Sequence, residues 1–457
     1  MHEVPISEAI EMTSGNLKYQ YFIAIILGLC NFVYSSYVLG FPFMLSQDKN
    51  GPNATNSLEL FDDRENIKHL ITKAFFLGIP FGALVLSLLS DKYGRKKVFE
   101  ITIRCYCLFT FMICITLTHR MLIVFSFLLG FLFQNGICSV FIMMIEILPI
   151  DSRVKMTCFV VGCWGLGLIY NSLLYFFGIS WRVNLLFITV LLVVIIKMLE
   201  YAYESPRILF INSGNKQAHN VLNEICIYNE QGEFTNQIFK SSAFVEGYCY
   251  YGLFKRNLIK TTFLCVLFWL STILLYSELA FINVTIFSDI HYNGITIGII
   301  EIGSMALLSI FGNKIQRKQL FFYSLITTRI GIILTAQFSY FTPESLGIVL
   351  PFLVTKLGLW SELYLMLLVT GELFPTYYRS TGYGFCTIIG SIGFLAHNWL
   401  VDYTKIFNIS STIITVILSC LSFVSVYFIH ETGKSKLKDF TESENYSIKE
   451  SIPFNLI

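Results

Sequence analysis

The apolar residues of this chain fall into twelve long runs, each bounded by polar or charged residues. About 20 apolar residues are what an α-helix needs to cross the hydrocarbon core of a bilayer. Run length and flanking charge place six spans at 19–44, 68–90, 98–117, 121–143, 154–178 and 182–200. Six more fall at 258–282, 292–312, 319–339, 344–369, 381–402 and 408–430. The polar stretch 203–257 separates the two sets, with a short amphipathic helix expected around Lys216 to Tyr228. The pattern predicts an all-α membrane protein of twelve transmembrane helices in two six-helix bundles, residues 19–202 and 258–430. A polar N-terminus (1–18) and a C-terminal tail (431–457) complete the chain.

The same short charged pattern closes the fourth run and the tenth. Glu146, Pro149 and Arg153 recur as Glu372, Pro375 and Arg379, both reading Glu-x-x-Pro-x-x-x-Arg. A second pair is weaker: Asp91, Gly94 and Arg95, with Lys96 and Lys97, follow the second run, and Gly312, Asn313, Gln316, Arg317 and Lys318 follow the eighth. Glu204-Ser205-Pro206-Arg207 follows the sixth run and Glu431-Thr432-Gly433-Lys434 the twelfth. All three offsets are about 225 residues. A parallel repeat in an apolar chain points to a transporter made of two like halves.

Composition sharpens this reading. The chain is 55% hydrophobic and 14% charged, with a mean hydropathy of +0.65, whereas soluble domains carry about 25% charged residues. A chain this apolar takes lipid as its solvent. The first eighteen residues are polar and include Glu3, Glu8 and Glu11, unlike a cleavable signal peptide, so the first run is expected to remain a span. With both termini cytoplasmic, Lys92, Arg95, Lys96, Lys97, Arg153, Lys155, Lys314, Arg317 and Lys318 all fall inside. The sequons at Asn53 and Asn283 then fall in outside loops as glycosylation sites. A net charge of +2, with no basic patch among exposed aromatics, gives no sign of nucleic-acid binding. The 12 cysteines lack metal-ligand spacing and read as small packing residues. No Ser-His-Asp set, phosphate loop or metal cluster stands at usable spacing, so neither enzyme activity nor a cofactor or metal is expected. His397, solitary in span eleven, reads as a packed polar residue.

Several of these motifs resemble one known group, the major facilitator superfamily and within it the organic cation, anion and carnitine transporters. Asp91 to Lys96 resembles the superfamily's loop between spans two and three, and Glu204-Ser-Pro-Arg207 its motif after span six. Gly371-Glu372-Leu-Phe-Pro-Thr376, with Arg379, Gly382 and Gly384, resembles the organic-ion family's most specific pattern. Lys356 matches that family's basic residue in span ten, and His430-Glu431-Thr432-Gly433 its motif after span twelve. The resemblance covers about residues 68–440. It implies alternating access by two rocking bundles, with a cavity lined by spans seven, eight, ten and eleven. On physical grounds, Asp91, Gly94, Arg95, Glu146, Arg153, Glu204, Arg207, Glu372, Arg379 and Glu431 are expected to form a gate at the cytoplasmic mouth. Asp91 is placed to meet the positive N-terminal end of a helix in the other half, span eleven.

Ionisable residues inside the spans are the substrate candidates, because an intramembrane carboxylate costs about 2.5–3.5 kcal/mol and should face the bundle interior. Glu301 lies halfway along span eight, Glu362 and Lys356 lie in span ten, and Glu278 lies toward the outer end of span seven. The alternative for Glu301 and Glu362 is an internal ion pair with Lys356 or Arg329. Tyr34, Tyr37, Trp164, Tyr170, Trp269, Tyr276 and Trp360 could wall a site for an organic cation. Asn31, Gln134, Asn135 and Asn171 are candidate hydrogen-bonding partners in the first half.

The sequence also departs from the family. The first outside loop (45–67) is short and lacks cysteine, Tyr203 replaces the usual proline before Glu204, and Glu278 stands where the family commonly has glycine. The span-eleven position that is Asp in cation carriers and Arg in anion carriers is Ser391. The expected function is therefore a multi-pass secondary carrier of a small organic solute, a cation or zwitterion, in the plasma membrane. A sugar-porter-like carrier of a neutral solute is the runner-up. A non-transporting receptor or scaffold on a carrier fold is the rival from another class.

Overall fold

The structure is a computed structural model that describes residues 3–40, 64–116, 118–235, 237–238, 249–281, 290–341, 346–406, 411–433, 435 and 437–439. Asn53, Asn283 and Lys434 lie outside the described residues, as does the side chain of His397. Among the described residues, ten helices are long and apolar enough to cross a membrane. In chain order they supply spans one to ten: Lys18–Val38, Arg64–Tyr93, Arg95–Ile115, His119–Ile147, Ile150–Phe176, Trp181–Leu199, Ile259–Phe281, Ile290–Phe311, Arg317–Phe341 and Val349–Leu373. Span eleven is Arg379–Ile406. Span twelve is broken at Cys420 into Ser411–Ser419 and Leu421–Phe428. This is the twelve-helix fold expected from the apolar runs.

Several helices outrun those runs, because backbone hydrogen bonding continues past the first charged residue until something stops it. In spans four and ten the stop is proline. Leu148 (φ −86°, ψ 136°) and Phe374 (φ −79°, ψ 134°) are both extended, the conformation a following proline imposes. Pro149 then caps the start of span five, and Pro375 precedes a short turn, Thr376–Tyr378, that opens span eleven. The repeated Glu-x-x-Pro-x-x-x-Arg is thus a helix–corner–helix unit. Its glutamate lies in the last turn of one helix and its arginine in the first turns of the next.

The first half packs around a core that includes Tyr34, Phe75, Phe99, Tyr106 and Leu129. The core of the second half takes in Phe141, Ile145 and Cys158 from spans four and five, so the halves interlock. Span two lies along span eleven, and span five along span eight. Span two also packs tightly on span four, where a side chain at Gly82 or Gly130 would strike the facing backbone. The helix expected near Lys216 to Tyr228 is Asn215–Tyr228. It joins a short N-terminal helix, Ile6–Met12, around Ile6, Ile10, Phe210, Leu222 and Phe234. Glu3–Val4 pairs in parallel with Gln237–Ile238, the one strand pair among the described residues. Neither the N-terminal helix nor the strand pair was foreseen from the apolar pattern.

Candidate functional site

The motif charges gather at one end of the bundle, and the repeat copies exchange partners across it. Glu146 accepts a hydrogen bond from Arg379 Nη1 at 2.7 Å, and Arg95 Nη2 lies 3.5 Å from the same oxygen. Glu372 accepts from Arg153 Nη1 at 2.9 Å and from Arg317 Nη1. Each glutamate therefore binds the arginine of the other copy and the loop arginine of its own half. None of these six side chains is more than 5% exposed. Ions this deeply buried persist only when paired and hydrogen-bonded. Two more bonds support the exchange: Arg95 Nη2 donates to Thr376 O at 2.8 Å, and Arg379 Nε donates to Gly371 O at 2.8 Å.

Helix N-termini hold the remaining acids. Asp91 pairs with Arg95 and accepts from Ser380 N at 3.2 Å, Thr381 N at 2.7 Å and Thr381 Oγ1 at 2.5 Å. It therefore sits on the first turn of span eleven, where the unpaired N–H groups and the positive helix end favour an anion. Glu204 accepts from Lys96 N at 2.9 Å and Lys97 N at 3.3 Å at the start of span three. Its burial raises its pKa above that of an ordinary glutamate, against the lowering effect of these N–H groups. Gly94 turns the chain there with φ +109°, and a Cβ at this position would meet the Glu204 carboxylate. Glu431 repeats the arrangement at the start of span nine, accepting from Arg317 N and Lys318 N, both at 3.1 Å. The symmetry fails at Asn313. Where Asp91 accepts from helix N–H groups, Asn313 Nδ2 donates to Asp151 O at 2.6 Å.

Arg207 carries a further contact between segments. Its Nη1 donates to Ser7 Oγ at 3.2 Å and to Asp439 Oδ1 at 2.8 Å, while Thr376 Oγ1 donates to Asp439 at 2.9 Å. The C-terminal segment thus joins the helix after span six to the corner before span eleven. Asp439 had no motif to mark it. Arg317 and Thr376 did, as the repeat partner of Arg95 and as part of Glu-Leu-Phe-Pro-Thr.

Between the halves lies a cavity of about 170 Å³ lined mainly by rings, among them Phe76, Phe133, Trp269, Tyr276 and Phe394. Gln134, Thr387 and Ser391 supply its polar edge. Gln134 Nε2 crosses the halves to Thr387 Oγ1 at 2.7 Å, and Ser391 Oγ turns back to Thr387 O at 2.8 Å. Tyr276 connects this cavity to Glu301, with which it interacts electrostatically. Glu301 is half-buried; its Oε2 is enclosed and has no hydrogen-bond partner. Lys356 interacts with Glu301 through space without closing an ion pair, and its Nζ lies 5.4 Å from the centre of the Phe352 ring. Gly165 packs against Glu301, and the neighbouring Trp164 meets Trp360 edge-on at 6.2 Å.

The other candidates are held in packing contacts. Glu362 pairs with Arg329 and accepts from Thr272 Oγ1 at 2.7 Å, while Arg329 also donates to Ser419 O and Ser422 Oγ. For Glu362 the ion-pair alternative is the observed arrangement. Glu278 accepts from Thr412 at 2.7 Å and Thr415 at 3.2 Å, which ties span seven to span twelve. Asn135 bonds Thr102, Asn31 bonds Val160 O, and Asn171 bonds Ser36 O, all within the first half.

The sequence profile described as "Sugar (and other) transporter" matches residues 21–443. The chain belongs to that family. Rat organic cation/carnitine transporter 2 is 24% identical over 81% of this chain and 68% of its own length. Bovine solute carrier family 22 member 16 is 22% identical over 86% and 70%, and mouse solute carrier family 22 member 4 is 25% identical over 71% and 60%. The resemblance to organic-ion carriers therefore holds. Among solved structures, the proton:xylose symporter XylE bound to 6-bromo-6-deoxy-D-glucose superposes with a TM-score of 0.68 at 15% identity, covering 94% of this chain and 99% of that one. XylE from E. coli in a partially occluded inward-open conformation gives 0.64 at 14% identity, over 92% and 100%. The fold is that of the major facilitator superfamily, and the protein is a multi-pass secondary transporter. In this transporter the repeat is a set of contacts between the halves, and the ionisable groups that differ between the halves sit apart from it.

Proposed function

We propose that the transporter carries a small organic cation or zwitterion by alternating access, with its charged end and both termini in the cytoplasm. One observation carries the substrate reading. Glu301 holds an enclosed, unpartnered carboxylate oxygen beside Tyr276, near the Trp164–Trp360 pair. A carboxylate among aromatic faces is the chemistry that recognises an organic ammonium, and cation–π contact adds about 2 kcal/mol when desolvated. Lys356, close by and without a closed ion pair, is placed to meet the carboxylate of a zwitterion. Relatives named as organic cation/carnitine transporters agree with both options. The gate consists of the exchanged pairs, the Asp91 contact and the Glu204 and Glu431 caps. The basic residues at that end favour the cytoplasmic side of the membrane.

Uptake of labelled tetraethylammonium, carnitine and xylose in voltage-clamped oocytes expressing the chain tests this. A monovalent cation should accumulate about fifty-fold per 100 mV, from about 2.3 kcal/mol per charge. Glu301→Gln should abolish that uptake while leaving surface expression intact. Xylose uptake that survives Glu301→Gln, with no uptake of the other two, would overturn the substrate class in favour of a neutral solute.

A further inference from the structure

Spans two and eleven lie along one another, with Gly384 against Ser87 and Ala83, and two of their contacts bear on gating. At the charged end, Asp91 binds Ser380 and Thr381. On the cavity wall, the rings of Phe76 and Phe394 stack with centroids 4.4 Å apart and an interplanar angle of 22°. Phe76 lies fifteen residues before Asp91, and Phe394 thirteen after Thr381. At 1.5 Å per residue the two contacts are about 20 Å apart along the same helix pair. Both rings line the cavity. We propose that the Phe76–Phe394 stack is the gate on the far side of that cavity, the counterpart of the Asp91 contact.

The contact chemistry suits that role. When two bundles rock about a central site, one end of a shared helix pair separates while the other stays closed. The far contact is a pair of apolar rings that can part without leaving a charge unpaired. Span two also has a bending point directly beside it. Pro80 lies within the helix four residues after Phe76. Proline has no N–H to donate, so the Phe76 carbonyl loses its helical partner and the helix can kink there. Below Pro80, span two is held to span four by the close approach at Gly82. The close approach continues above Pro80, with Gly78 against Phe127 and Phe131 and Phe75 against Gly130, so the segment bearing Phe76 moves together with span four.

The inference rests on the orientation proposed above, and the experiment separates the two. Ser391, which lines the same cavity, serves as a reporter when changed to cysteine. The full-length Ser391→Cys chain is labelled with a membrane-impermeant methanethiosulfonate reagent, in intact cells and in inside-out vesicles. The unsubstituted chain supplies the background from native cysteines. Loss of a ring stack should raise the outward-open population, so adding Phe76→Ala or Phe394→Ala should speed labelling in intact cells about three- to tenfold. Phe76→Trp, which keeps a stack, should stay near the starting rate. Phe76→Leu keeps the bulk, loses the ring, and carries the comparison if the alanine variants do not reach the membrane. A faster rate confined to inside-out vesicles keeps the gate and overturns the orientation. An unchanged rate on both faces overturns the gate.

Discussion

Consider replacing Glu146 with Gln. In the structure Glu146 is fully buried and receives both Arg379 and Arg95. Neutralising it leaves Arg379 with Gly371 O as its acceptor, while Arg95 keeps Asp91 and Thr376 O. Removing one partner of a buried ion pair costs about 3–5 kcal/mol. That penalty falls on the closed arrangement, because water solvates these groups once the mouth opens. A shift of 3 kcal/mol changes the closed-to-open ratio about 150-fold. Inverting a 99:1 population takes about 5.5 kcal/mol, so Glu146→Gln together with Glu372→Gln should suffice. The two exchanges share no charged side chain, so their effects should add to first order. Hydrogen–deuterium exchange in nanodiscs reads this directly: peptides over 145–155 and 370–381 should exchange on the order of a hundredfold faster in Glu146→Gln. Glu146→Gln with Arg379→Gln should be milder than either single change, because no charge is then left alone. Equal protection in wild type and the Glu146→Gln, Glu372→Gln chain would refute the reasoning. So would simple addition of the two penalties in the Glu146→Gln, Arg379→Gln chain.

Three further outcomes are expected. Arg329→Met should lower the thermal unfolding midpoint in detergent by stranding Glu362 in the second-half core, at a cost of about 3–5 kcal/mol, and Glu362→Met in the same chain should recover most of it; no recovery would show that the pair is not the cause. Asp439→Asn should weaken the tail's hold on Arg207 and Thr376, so limited proteolysis should cut the C-terminal segment sooner, and an unchanged cleavage rate would count against the contact. Gly94→Ala should destabilise by about 1–3 kcal/mol, because a residue with a Cβ must adopt φ +109° against the Glu204 carboxylate; the thermal unfolding midpoint in detergent checks it, and an unchanged midpoint would count against the strain.

Much of this molecule was legible in the chain. Helix number and order followed from run length, because a bilayer leaves α-helix as the natural way to satisfy the backbone of a single apolar run. Most of the motif charges were legible because duplication writes them twice; Asp91, matched by Asn313, is an exception. Their pairing was harder to read, since a repeat gives equivalence and not contact. Glu146 and Arg153 sit seven residues apart, yet each reaches for the other half. Glu362 and Glu301 looked alike in sequence, as acids within spans. They separate in the fold because Arg329 on span nine faces one, whereas Lys356 stops short of the other. The N-terminal helix and Asp439 were invisible to hydropathy, because their contacts are made in water-facing segments where apolar runs give no guide.

The partner exchange also bears on how the chain is made. Glu146 and Arg379 are 233 residues apart. At about 5–20 residues per second, synthesis takes roughly 12–47 s to travel from one to the other. Over that interval the six spans of the first half are completed; Glu146 has Arg95 but still lacks Arg379, and Arg153 waits for Glu372. A half-molecule is therefore a nascent chain with its charges still open to water at one end. The exchange closes when the eleventh span arrives.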